Sequence, residues 1–250
     1  MNYYRKVFDH FQLNCVLYSE VVKLEEHNGH FNVHTHGGKV FHSRFVAVAT
    51  GYFDNPSPLG VQGEALPHVS HYYNDPLPFH RRRVVVVGGK NSAVEAALDL
   101  WRHGADVTVV HRGEKLSHGV KYWILPDFEN RVAQGSITMH LKSTVKEFLP
   151  HSTIIQKHDG TIQEIPTDSV FILIGYRPDT DLLCSFGIEV DPETLGPRCN
   201  PETMESNIRG MFVAGGMVGG RFNNKVFIEN GREHGKTIVQ AILKNSRAST

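Results

Sequence analysis

Residues 81 to 113, RRRVVVVGGKNSAVEAALDLWRHGADVTVVHRG, have the residue types and spacing needed to bind the phosphates of a dinucleotide. Gly88 follows four valines and permits a tight turn, after which the pattern predicts a helix. The first N–H groups of such a helix, and the positive end of its dipole, stabilise a phosphate without a side chain. Ala93 takes the third position of the glycine motif, where a small residue lets helix and strand approach closely. The sequence therefore predicts a nucleotide site at this turn, with helix–sheet packing alone as the alternative.

Lys90 is unusual because it stands where the motif has its second glycine. A side chain there would crowd a pyrophosphate unless it points away or itself supplies a positive contact, and the sequence leaves both alternatives open. The residues of the predicted phosphate-binding turn are Gly88, Gly89, Lys90, Asn91, Ser92 and Ala93.

The end of the second strand distinguishes between the two nicotinamide dinucleotides. In NAD-binding units an acidic residue about 20 residues further on accepts the ribose hydroxyls, whereas the 2′-phosphate of NADP needs positive charge. Here His111 and Arg112 end the strand, and Lys115 follows closely. Because the arginine fork matches a phosphate, this pattern favours NADPH, with a solvated surface charge as the alternative for Arg112.

The hydrophobic pattern indicates the elements that position these residues. Residues 84–87 are typical of a parallel strand buried on both faces, and the helix after them carries apolar residues at helical spacing as far as Gly104. Upstream, the pattern predicts an amphipathic helix over 3–12, an antiparallel meander of runs 15–27, 30–36 and 39–50, and a domain-crossing loop over 54–80. Downstream, it predicts a helix over 121–134, strands near 137–148, 153–157 and 169–174, and a last helix over 230–245. Buried strands end in a glycine at Gly51, Gly88, Gly175 and Gly215, which indicates two related α/β sheets whose strand ends line ligand clefts.

The composition excludes several classes of protein. Lys plus Arg and Asp plus Glu are 26 each in 250 residues, which argues against binding to nucleic acid or to a membrane surface. No apolar run approaches the roughly 20 residues that span a bilayer, and the N-terminus does not resemble a secretory signal. Three widely spaced cysteines are typical of a protein from a reducing compartment, so we expect a cytoplasmic protein.

Other polar residues have ordinary explanations. His30, His34 and His36 alternate on a predicted hairpin without carboxylate or thiolate partners at ligand spacing, so a solvated strand face is favoured over a metal site. Cys15 is expected to be a small buried hydrophobe, and no cysteine has surroundings that indicate a catalytic thiol. We assign no catalytic residue and no metal ligand.

The assembled motifs resemble the FAD- and NADPH-dependent pyridine-nucleotide disulfide reductases related to thioredoxin reductase, and within them the bacillithiol-disulfide reductase (YpdA-type) family. The most specific pieces are VVVVGGKNSAVEAALDLWRHGADVTVVHRG, in which the lysine is typical, ATGYFDNP, ILPDFENRV and FIENGREHG. The resemblance implies an α/β fold with two Rossmann-like dinucleotide-binding domains, the NADPH domain inserted in a partial FAD domain. The implied boundaries are 1–78 with 181–250 for FAD and 79–180 for NADPH.

The resemblance also implies flavin-facing positions. These are Thr50, Gly51, Gly215 and Gly216 at strand ends, together with Glu229 near the start of the last helix, where capping is the ordinary explanation. Gly216 stands where thioredoxin reductases have an aspartate that contacts the ribityl chain, and YpdA-type proteins share this difference. Members of the family open with a strand, a glycine-rich turn and a helix for the ADP half of FAD, an element of at least ~30 residues that also carries the cysteine of their thiol chemistry. The chain given starts at MNYYRKVFDHF and has no C-x-x-C pair, so we expect an N-terminally truncated member that purifies largely free of flavin.

The implied function is hydride transfer from NADPH to FAD and onward reduction of a low-molecular-weight disulfide. The alternatives are a non-catalytic NADPH-binding remnant or module that lacks stable flavin, and a flavin-dependent monooxygenase. The expected partner is a small-molecule disulfide, with neither nucleic acid nor membrane; assembly into a homo-oligomer stays open.

Overall fold

The computed structural model describes residues 2–247, the side chains of Asn2, Asn223, Asn224, Ser246 and Arg247 excepted. The strands are β1 (Val21–His27), β2 (His30–Thr35), β3 (Val40–Ser43), β4 (Val46–Val48), β5 (Val69–Ser70), β6 (Arg83–Val87), β7 (Asp106–Val110), β8 (Ile137–His140), β9 (Ser143–Leu149), β10 (Ser152–Lys157), β11 (Ile162–Pro166), β12 (Ser169–Ile172) and β13 (Met211–Val213). The helices are α1 (Asn2–Phe11), α2 (Asn91–Arg102), α3 (Leu125–Ala133), α4 (Thr180–Ser185), α5 (Ile228–Gly231) and α6 (Glu233–Arg247), with 3₁₀ stretches at Leu77–Phe79 and Gly215–Lys225.

The chain divides into two compact units. The outer unit consists of Met1–Asn55 and Arg177–Thr250, and the central unit of Pro56–Tyr176. The sequence placed the boundaries later, at 78/79 and 180/181. The crossing segment belongs to the central unit because its backbone is bonded there: Phe148 N donates to Gln62 O at 2.9 Å, and β5 pairs with β12.

The central unit is built on a parallel sheet with the strand order β5-β12-β6-β7-β8. The four valines of β6 are buried on both faces, with relative exposures of 6% or less. Val84 and Val86 pack against α2, whereas Val85 and Val87 pack against the antiparallel sheet β11-β10-β9 on the other face. Because all five strands are parallel, the carboxyl ends of β6, β7 and β12 meet at one edge of the sheet.

The outer unit combines an antiparallel meander, β1-β2-β3, with a parallel pair, β4 and β13. Its core includes Phe31 from the meander, Leu183 from α4 and Val213 from β13. Ile238 of α6 packs with Phe212 in a second cluster. This arrangement places the carboxyl ends of β4 and β13 side by side.

Several predicted elements have different bounds in the structure. The run 39–50 is not one strand. The backbone turns at Ser43, whose hydroxyl donates to Phe45 O and accepts from Phe45 N. Strand β4 then leaves the meander and pairs with β13. The run 15–27 is a strand only from Val21, and Cys15 is exposed, so the prediction of a buried hydrophobe was wrong. The run 137–148 is two strands, since β8 belongs to the parallel sheet and β9 to the antiparallel one. Strand β11 and helix α4 were not predicted.

The α/β fold class is confirmed, as is the strand–turn–helix–strand order of β6, α2 and β7. Within residues 2–247, none of the helices combines the length and apolar character needed to cross a bilayer.

An ion pair fastens the start of β6 to the loop before β12. The Asp168 carboxylate accepts hydrogen bonds from Arg83 N at 2.9 Å, from Nε at 3.1 Å and from Nη2 at 2.6 Å. These bonds hold the pKa of Asp168 well below its usual range. The carboxylate therefore stabilises the folded state above the ordinary aspartate pKa, near 4, and this contribution disappears as the pH falls through the lowered folded-state pKa.

We predict that Asp168→Asn lowers the thermal midpoint at pH 7 by about 2–4 °C, because one strong acceptor becomes a neutral amide. The difference from wild type should shrink as the pH falls below about 4, because Asp168 is then progressively protonated in the unfolded chain while the folded protein must keep it ionised. Thermal melts between pH 2 and 8, with Asp9→Asn in exposed α1 as the control, measure both effects. A difference that does not vary with pH would contradict the assignment of the stabilisation to the ionised carboxylate.

Candidate dinucleotide-binding sites

The glycine turn after β6 is closed to side chains. Gly88 has φ +156°, and a Cβ atom there would lie 2.6 Å from the carbonyl oxygen of Leu173 and 2.7 Å from Ala93 Cβ. Gly88 N donates to Val110 O at 3.0 Å, which ties the turn to the end of β7. The close approach of Gly88, Ala93 and the segment after β12 therefore leaves no room for a side chain at position 88.

The N-terminus of α2 has the features of an anion site. Lys90 is its N-cap, with extended backbone and no side-chain capping hydrogen bond. The N–H groups of the first turn therefore lack the side-chain acceptor that usually satisfies them. The φ of Lys90 is −116°, so this position does not require glycine, and its side chain is exposed. These observations fit a phosphate bound to backbone donors, with Ser92 exposed in the same turn.

The side chain of Asn91 makes hydrogen bonds to the neighbouring loop. Its Nδ2 donates to Gly119 O at 2.9 Å, and its Oδ1 accepts from Lys121 N at 2.8 Å. The Lys121 ammonium also pairs with Glu95 of α2 at 2.6 Å. The side-chain amide of Asn91 thus holds the loop 113–121 against α2 and is engaged at both polar atoms, so a contact of Asn91 with the nucleotide stays a prediction for its backbone N–H.

His111 is a packing group beneath the turn. Its ring fills the space that a side chain on Gly89 would need, and a Cβ on Gly113 would lie 2.6 Å from its Nε2. Nε2 lies 3.2 Å from the carbonyl oxygen of Lys115, to which it donates as Nε2–H. Burial, and then the charge of Arg112, lower the pKa of His111. The imidazole is therefore neutral near pH 7, which corrects the expectation of a positive charge at this position.

The positive charge beside the turn comes from residues that follow His111. Arg112 and Lys115 are both exposed in the structure. Glu114 lies between them in sequence, and its carboxylate is paired with the Lys142 ammonium at 2.5 Å. Gly175, after β12, has φ +105° and open space where a side chain would lie. The end of β7 therefore presents an arginine and a lysine, with its one acidic neighbour already paired.

The predicted flavin-facing glycines lie at the ends of β4 and β13. Gly51 and Gly215 both have φ +74°, and a Cβ on either would meet nothing within 4 Å. Gly215 N donates to His234 Nδ1 at 3.1 Å, and Thr50 Oγ1 lies 3.7 Å from Met217 Sδ. His234 was not among the predicted site residues, although it lies in the motif FIENGREHG. These open strand ends are where the residues present fit a flavin.

Tyr52 explains why position 216 is glycine. A Cβ on Gly216 would lie 2.5 Å from Cε1 and 3.0 Å from Cδ1 of the Tyr52 ring. The space that an aspartate would need at 216 is thus taken by the tyrosine of the ATGYFDNP motif. The sequence shows that Tyr52 directly follows Gly51, at the end of a predicted strand. Its contact with Gly216, however, depends on the pairing of β4 with β13.

Glu229 is exposed in the first turn of α5. The side chain that caps the start of α5 is that of Asn230. Its Oδ1 accepts from Phe227 N at 2.7 Å and its Nδ2 donates to Lys225 O at 2.8 Å. The side chain of Glu229 therefore takes no part in capping α5.

The cysteines and histidines form no reactive cluster among the described residues. Cys15 and Cys184 are exposed, and burial raises the pKa of Cys199. His34 Nε2 lies 2.7 Å from Glu25 Oε2. The residue spacing in the sequence did not predict this carboxylate partner. Over residues 2–247, no group of three or more His, Cys, Asp or Glu could hold a metal ion.

We predict that Gly216→Ala destabilises the protein by about 1 kcal/mol, because the added methyl overlaps the Tyr52 ring. In a Tyr52→Ala background the same change should cost nothing, which thermal melts of the four proteins would show as non-additivity. Gly235→Ala in α6 is the matched control, since a Cβ there meets nothing within 4 Å. Equal losses in both backgrounds would show that the ring is not the obstacle.

Comparison with known proteins agrees with this geometry. The family model described as pyridine nucleotide-disulphide oxidoreductase matches residues 1–215. The bacilliredoxin reductase Bdr of Bacillus subtilis (strain 168) is 44% identical over 200 residues, which are 80% of this chain but only 62% of that protein. The structure of bacillithiol disulfide reductase Bdr (YpdA) from Bacillus cereus has a TM-score of 0.93 at 40% identity, covering 98% of this chain and 76% of that one. Its counterpart from Staphylococcus aureus has a TM-score of 0.93 at 38% identity, with the same coverage.

The resemblance seen in the sequence motifs is therefore confirmed by both sequence and structure, and proteins of this group use FAD and NADPH. The chain belongs to the pyridine nucleotide-disulphide oxidoreductase family and is similar within it to the bacillithiol disulfide reductases.

Proposed function

We propose that this chain provides the NADPH site and flavin-facing turns of an oxidoreductase that reduces a low-molecular-weight disulfide. The observation that carries the proposal is the pairing of an uncapped α2 N-terminus, behind the closed Gly88 turn, with exposed Arg112 and Lys115 at the end of β7. Bound NADPH and FAD would supply the hydride and the two-electron transfer of the overall reaction, in which NADPH, one proton and one disulfide give NADP⁺ and two thiols.

The chain's own residues have distinct roles in this proposal. The first-turn N–H groups of α2 bind the pyrophosphate, and Arg112 binds the 2′-phosphate through its guanidinium. His111 and Asn91 support the turn and the loop beside it. The strand ends at Gly51 and Gly215 face the flavin, with His234 and Tyr52 fixing the backbone of the second turn.

The proposed substrate class is a disulfide that contains bacillithiol. Its support is the name of the Bacillus cereus relative, a bacillithiol disulfide reductase, and that of the Bacillus subtilis relative, a bacilliredoxin reductase. We assign none of the three cysteines to the reaction, because Cys199 has a raised pKa and the other two lie outside both predicted sites. A cytoplasmic location remains a proposal supported by the cysteine usage, and assembly into a homo-oligomer stays open.

The first experiment is an absorbance spectrum of the purified chain, followed by NADPH oxidation with bacillithiol disulfide. A flavin band and disulfide-dependent NADPH oxidation would support the proposed reductase. NADPH binding without a flavin band, even after FAD is added, would instead support a non-catalytic NADPH-binding module. Oxygen uptake that depends on NADPH but not on disulfide would favour a monooxygenase.

We predict that Arg112→Ala weakens NADPH binding by about 1.5–3 kcal/mol, the range for a hydrogen bond to a charged group. NADH binding should be nearly unchanged, because NADH has no 2′-phosphate. Calorimetric titration of both nucleotides measures the difference, with Lys146→Ala as an exposed control on β9. Equal losses for the two nucleotides would show that Arg112 does not bind the 2′-phosphate.

A further inference from the structure

A cleft of about 330 Å³ opens at the carboxyl end of β8 in the central unit. One wall is the corner between β8 and β9, and the other is the turn between β10 and β11. Its ionisable lining residues are His140, Lys142, Lys157, His158 and Asp159. Basic groups therefore outnumber the carboxylate, in a protein whose overall net charge is zero.

The cleft is joined to the segment that carries Arg112. His111 N donates to His140 O at 2.9 Å, and Ser143 N donates to His111 O at 3.1 Å. Lys142 N donates to Gly113 O at 2.9 Å. These bonds involve residues on both sides of Arg112 in the sequence. Backbone hydrogen bonds therefore connect the segment that is predicted to bind the 2′-phosphate directly to the wall of the cleft.

The two carboxylates near the cleft are already engaged. Asp159 Oδ1 accepts from Thr161 N at 2.9 Å, within its own turn. Glu114 Oε1 lies 2.5 Å from Lys142 Nζ, and this lysine, with His158 as a smaller influence, lowers the pKa of Glu114. Glu114 therefore reaches across from the loop after β7 and holds a cationic side chain of the cleft.

The positive charge of the cleft comes from its two lysines, Lys142 and Lys157. Burial lowers the pKa of His140, and the charge of Lys157 lowers it further, so His140 adds no positive charge near pH 7. An anion entering between the two walls would gain charge-assisted hydrogen bonds from the lysines. A phosphate monoester, with a charge of about −1.5 to −2 at pH 7, has the sign and the acceptor oxygens that suit this cleft.

We propose that the cleft receives the adenosine 2′-phosphate of NADPH, and that Lys142 and Lys157 are specificity residues beside Arg112. Glu114 opposes binding, because its carboxylate competes with the phosphate for Lys142. The inference rests on the proposed function, since it extends the NADPH site beyond the strand end from which the sequence predicted it.

Binding of 2′,5′-ADP and of 5′-AMP to the full chain tests this inference. Lys157→Gln and Lys142→Ala should each weaken 2′,5′-ADP binding by about tenfold and leave 5′-AMP binding unchanged. Glu114→Gln should strengthen 2′,5′-ADP binding severalfold, because it frees Lys142 and removes a like charge. Lys146→Ala, an exposed lysine on β9 outside the cleft lining, is the control and should change neither affinity.

The outcomes separate this inference from the proposed function. If wild type prefers NADPH to NADH and loses that preference with Arg112→Ala, while the Lys142, Lys157 and Glu114 variants bind 2′,5′-ADP like wild type, the cleft assignment is overturned and the proposed function stands. If wild type does not distinguish 2′,5′-ADP from 5′-AMP, both are overturned. Inorganic phosphate competing as strongly as 2′,5′-ADP would also overturn the inference, because it would indicate a general anion site. Thermal melts of each variant establish that the affinities are those of folded protein.

Discussion

The burial of β6 on both faces is the constraint on which the central unit depends. Each of its four valines is removed from water between α2 on one side and the β9–β11 sheet on the other, a gain of about 1.5–3 kcal/mol per side chain. Burial of the strand requires all of its backbone groups to be paired, and β7 and β12 provide that pairing on its two edges. The carboxyl ends of three parallel strands are thereby brought to one place, and α2 starts there with its N–H groups uncapped.

The exclusion of side chains at this place follows from the same packing. Gly88 is pressed between the segment after β12 and Ala93, and Gly89 lies on the ring of His111. A neutral imidazole can fill this position because it buries little charge and its Nε2–H is satisfied by a carbonyl. At Gly88 and Gly89 the turn therefore offers backbone to a ligand, while the exposed charged groups stand around it, at Lys90, Arg112, Lys115 and the cleft after β8.

Packing also excludes a side chain at one glycine of the outer unit, through a different kind of contact. Its two parallel strands place Gly51 and Gly215 beside one another, and the Tyr52 ring occupies the volume over Gly216. The His234 ring then fixes the amide of Gly215 from the last helix. A tyrosine and a histidine thus set the shape of the turn at Gly215 and Gly216.

Local pattern determined much of this protein from sequence alone: the β6–α2–β7 unit, its glycine turn, the cationic strand end and the family. These features depend on neighbours within about thirty residues, over which hydrophobic period and glycine conformation are decisive. The tertiary structure alone decided that Asn91 binds a loop, that His111 is neutral beneath the turn, and that Glu114 pairs with Lys142. It also placed the unit boundary before the crossing segment and moved β4 out of the meander. Each of these outcomes depends on a specific contact between side chains or backbone groups of different elements, and periodicity within one segment carries no information about its partner on another.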